Sequence, residues 1–114
     1  PLAALVLMND PVFLEAARGL AQRILSAKDI QDAQRLDLAM RLATARHADK
    51  EELRILKDVL EQARREVAMN PAAATKLIEI GASPIPTNLD PLELAAWMQV
   101  SRTILNLHET FNRE

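Results

Sequence analysis

The stretch that most constrains this chain is residues 90–114, DPLELAAWMQVSRTILNLHETFNRE. It is the longest uninterrupted helical pattern, and it holds the only Trp, Trp97. Asp90 is placed to cap the first turn, Pro91 suits the first helical position, and Glu93 completes a D-x-x-E capping box. Leu94, Trp97, Met98, Ser101, Leu105 and His108 recur at steps of three and four, the signature of one helix face. Ile104 and Phe111 widen that stripe. About 24 helical residues span roughly 36 Å, enough to cross a small domain. The pattern predicts a central helix on which the others pack.

The remaining chain is punctuated in the same way. Residues 2–8, LAALVLM, read as a short, buried helical turn. Asn9-Asp10-Pro11 is a cap followed by Pro, and predicts a helix from Pro11 to about Ala27. Phe13, Ala17, Leu20 and Ile24 form its inner stripe. Gly19 in its interior costs roughly 1 kcal/mol against Ala, which a close helix crossing would explain. A further helix is expected over about Ile30 to Arg46. Its two apolar stripes, Leu36-Ala39-Met40-Ala43 and Leu38-Leu42-Ala45, suggest a sandwiched position. Asp49 and Glu52 form a second D-x-x-E box opening a helix over Lys50–Met69, with an inner seam of Leu53, Leu56, Leu60, Ala63 and Val67. Asn70-Pro71 opens a short helix, about Ala72 to Ile80, stopped by Gly81. The reading is therefore all-α: an irregular antiparallel bundle of four main helices plus two short ones, in one domain spanning 1–114.

Composition narrows the function. Aromatics are 3 % of the chain, so Leu, Ile, Val, Ala and Met must build the core. Residues 1–70 carry 11 basic and 11 acidic side chains, and the remainder 3 and 5. No basic stripe results, and nucleic acid is not expected as a partner. No apolar run reaches the ~18–20 residues that span a bilayer, so no membrane contact is expected. The absence of Cys removes disulfides, thiol nucleophiles and covalent haem attachment within this stretch. The chain starts at Pro1, which suggests a piece of a longer protein.

Particular motifs carry a family resemblance. Leu7-Met8-Asn9-Asp10-Pro11, Ala95-Ala96-Trp97, and Asn106-Leu107 with Glu109 are its most specific parts. ARHADKEELRILKDVLEQ and KLIEIGASP lie between them. Over nearly its whole length the chain resembles the C-terminal domain of unknown function, planctomycete-specific domain one, of large exported planctomycete proteins. Those proteins carry a planctomycete-type cytochrome c domain nearer the N-terminus. The resemblance implies an exported, periplasmic location and a place within a multidomain chain that serves carbohydrate or oxidative metabolism. It implies no catalytic residues. Two positions depart from the family pattern: His108 stands where Asp is common, and His47-Ala48 where an Arg-Pro pair is common.

The candidate chemistry is sparse. His47 and His108 fall on different elements without H-E-x-x-H spacing, and no metal or other cofactor is expected. His47 is expected at a helix end, where a cation suits the C-terminal dipole. Ser101 is expected to bond back to a carbonyl one turn earlier. The polar set Asn9, Asp10, Asn106 and Glu109 either ties the last helix to the first turn or lines a cleft completed by upstream domains. Two functions follow. One is a non-catalytic docking module, meeting the upstream domains of its own chain through Leu2, Leu5, Val6 and Met8 and, in isolation, pairing weakly as a homodimer. The other is part of an enzyme whose active site is shared with those domains.

Overall fold

A computed structural model describes residues 10–80 and 84–112, with 108–112 as backbone alone. The described chain is helical: α1 Pro11–Ser26, α2 Asp32–Thr44, α3 Lys50–Met69, α4 Pro71–Ile78 and α5 Pro91–Asn112. No strand occurs among the described residues. The expected short helix over residues 2–8 and the Gly81 stop lie outside them.

Each helix starts where an orphan N–H finds a side-chain oxygen. The Val12 N–H donates to Asp10 Oδ1 at 2.8 Å, and the Ala73 N–H to Asn70 Oδ1 at 3.2 Å. The Leu92 N–H donates to Asp90 Oδ1 at 2.9 Å. At α3 the expected reciprocal box is present. The Glu52 N–H donates to Asp49 Oδ1 at 2.8 Å, and the Asp49 N–H to Glu52 Oε1 at 3.0 Å. At α2 the Gln31 N–H donates to Gln34 Oε1 at 2.8 Å.

α5 is the central element. All four other helices pack on it. Five consecutive residues, Leu94 to Met98, are buried, and Val100, Ser101 and Ile104 continue the burial. A helix buried on all sides in this way sits inside the bundle. Around it lie Leu20, Ala21 and Ile24 of α1, Leu36, Ala39 and Met40 of α2, Leu56, Leu60, Ala63 and Val67 of α3, and Ala74 and Ile78 of α4. Trp97 is fully buried in this cluster.

Several expectations need correction. α2 is not sandwiched: Leu38 and Leu42 are half-buried and Ala45 is exposed. The sandwiched helix is α5. α2 is also shorter than its pattern, because Ala45 turns left-handed at φ 62° and ends it. Gly19 does not mark a close crossing, since a Cβ built there meets nothing within 4 Å. Glu93 does not close a box on Asp90, as its two oxygens bind Arg64. Ser101 Oγ makes no bond to a carbonyl one turn back, nor to any other group.

Candidate functional site

Of the polar set expected to line a cleft, Asp10 and Asn106 are described with side chains. Asp10 accepts from the Val12 and Phe13 N–H groups at 2.8 and 3.4 Å, which is a capping role. Asn106 is half-buried on α5. Asn9, the Glu109 and His108 side chains, and the apolar residues Leu2, Leu5, Val6 and Met8 lie outside the described residues. The cleft formed by Asn9, Asp10, Asn106 and Glu109 is therefore neither assembled nor dispersed by the described geometry.

The most connected polar group is Arg64 on α3, half-buried. Its Nη1 and Nη2 donate to the Asp32 carboxylate at 2.6 and 3.2 Å. Its Nη2 and Nε donate to Glu93 at 2.7 and 3.1 Å. Asp32 lies in the first turn of α2 and Glu93 in the first turn of α5. Acidic groups suit these positions because helix N-termini carry positive potential. A planar guanidinium satisfies two carboxylates edge-on in a way an ammonium does not. The hydrogen bond from Arg64, helped by its charge, holds the Asp32 carboxyl below the usual carboxylate range. The two carboxylates, Asp32 first, push the Arg64 guanidinium up.

Two more arginines serve helix C-termini, where carbonyls lack partners. Arg35 of α2 reaches the carbonyls of Ile24, Ala27 and Ile30 at 3.4, 2.7 and 3.3 Å, clamping the α1–α2 connection. Arg18 of α1 is fully buried and its Nη1 donates to the carbonyl of Ile78, the last residue of α4, at 2.5 Å.

The α2–α3 connection carries a third cluster. Asp37 accepts from the Ala48 N–H at 2.8 Å and pairs with His47 Nδ1 at 2.7 Å, with Arg41 Nε at 3.5 Å. The Ala48 N–H and then His47 hold the Asp37 carboxyl low. His47 thus lies just past α2 but pairs with a carboxylate of that helix. Arg46 grips Glu52 at 2.8 and 2.6 Å. With the Asp49 N–H, it lowers the Glu52 carboxyl to about 2.

Open grooves complete the surface. One runs between α3 and α5, past Asp58, Val59, Glu61, Gln62, Arg65, Glu66, Gln99 and Thr103. A second, past Ala27, Ile30, Ala33, Gln34 and Leu38, borders Asp37 and Arg41. Both carry both charge signs along their walls, the first with Asp58, Glu61 and Glu66 beside Arg65, the second with Asp37 beside Arg41. Among the described residues no group of three or more His, Cys, Asp or Glu is placed to hold a metal ion. No described helix is long and apolar enough to cross a membrane.

These features define an all-helical protein whose charged side chains join helix ends. Its membership is narrower than that. The chain belongs to the PSD1 family, described as a protein of unknown function (DUF1553), whose family model matches residues 1–60. Nothing among curated proteins or solved structures matches the chain. The matched stretch ends inside α3, whereas the core joins Leu20 and Leu60 to Trp97 and Ile104 beyond it.

Sequence reasoning missed Arg18, Arg35 and Arg64. Arg64 reads as part of the solvated outer face of α3. Its partners lie 32 and 29 residues away, so no local spacing announces them.

Proposed function

We propose that this chain is a non-catalytic docking module: one helical domain that serves a larger exported protein by packing against other parts of it. The observation that carries the reading is how the described polar side chains are used. Asp10, Asp49, Asn70 and Asp90 cap helices, and Arg18, Arg35 and Arg64 join helix ends. Groups spent this way are not poised for acid–base work. The exported, periplasmic setting beside a cytochrome c-type domain comes from the family resemblance.

The helix ties support a contact at one end of the bundle. Arg64 joins the start of α5 to the start of α2, and Arg35 joins the start of α2 to the end of α1. The start of α5 therefore lies at the end of α1, and we take these two packed helices as antiparallel. Val12, 76 % exposed in the first turn of α1, then falls toward the far end of α5, where Leu107 is 52 % exposed. In sequence Leu2, Leu5, Val6 and Met8 precede α1, and they belong to the proposed contact. Apolar residues grouped in this way mark contact sites.

A structure of the full-length chain tests the proposal. Upstream domains seated on residues 2–8, Val12 and Leu107 are the expected result. A closed cleft in which Asn106 and Glu109 meet acid–base groups of another domain would favour the shared-enzyme reading instead.

A further inference from the structure

We draw no further inference here: the strongest candidate, the open groove that α3 walls against α5 and α4 from Asp58 to Asn70, carries charges of both signs along its rim, and nothing in the structure shows what covers it.

Discussion

Arg64 and Asp32 meet through two hydrogen bonds, 2.6 and 3.2 Å long, that join the middle of α3 to the first turn of α2. Glu93 takes the rest of the same guanidinium. Three helices are thus referenced to one side chain. Arg64→Met keeps the aliphatic stem and removes all four bonds, and should cost about 1–2 kcal/mol in denaturant unfolding. Arg54→Met breaks the exposed pairing with Glu51 and Asp58, and should cost clearly less than Arg64→Met. Equal losses at the two sites would show that Arg64 is an ordinary surface charge.

Acid should weaken the fold through identifiable carboxylates. Asp32, Asp37 and Glu52 all have folded-state pKa values below their ordinary ones, Glu52 down to about 2. A depressed carboxyl contributes stability that is fully present above its unfolded pKa. That contribution is lost as pH falls through the folded value. The denaturation midpoint should therefore fall between about pH 4.5 and pH 2 by this route. Arg46→Met should reduce the fall, because the Arg46 pairing is the main cause of the Glu52 shift. A slope that is the same with and without Arg46 would rule out that cause.

Two backbone positions carry the wrong residue for stability. Gly19 sits inside α1 with open space where a Cβ would go. Gly19→Ala should stabilise by roughly 0.5–1 kcal/mol. Ala45 ends α2 at φ 62°, where a Cβ is strained. Ala45→Gly should stabilise by up to about 1 kcal/mol, part of the relief being offset by greater freedom in the unfolded chain. Thermal melts of both variants check the signs. A loss in Gly19→Ala would mean that the open space is filled in solution.

The family match stops at residue 60, but the packing does not. Residues 1–60 alone keep Leu20, Ile24, Leu36, Leu56 and Leu60 while losing Trp97, Met98, Val100 and Ile104, which complete the core. A 1–60 fragment should lack a cooperative melt, whereas 1–114 should have one. Cooperative unfolding of the fragment would make it a domain in its own right.

Helix positions were legible where a local chemical signal exists. Asp49, Glu52 and Asn70-Pro71 frame α3, and its observed bounds match the pattern. The central role of α5 followed from its length and its Trp97 stripe. α2 was overextended because its start rests on Gln31 and Gln34, weaker capping types, and its end on a left-handed alanine. Glu93 was misassigned for a related reason. A capping box and a tertiary ion pair compete for the same carboxylate, and Arg64 lies 29 residues away in sequence. The proposed contact residues Leu2, Leu5, Val6 and Met8 rest on composition alone, since hydrophobicity names a buried face without naming what buries it.

Analytical ultracentrifugation of the isolated domain tests the docking role most directly. If the docking proposal holds, an apolar end left bare in the isolated domain should pair with a second copy, as identical chains most often do through a two-fold contact. Weak, concentration-dependent dimerisation is the predicted result. Leu5→Lys and Val6→Lys should each sediment as monomers and remain folded by circular dichroism. A parent domain that stays monomeric at high concentration would contradict the docking role, because its apolar end would then be covered within one chain.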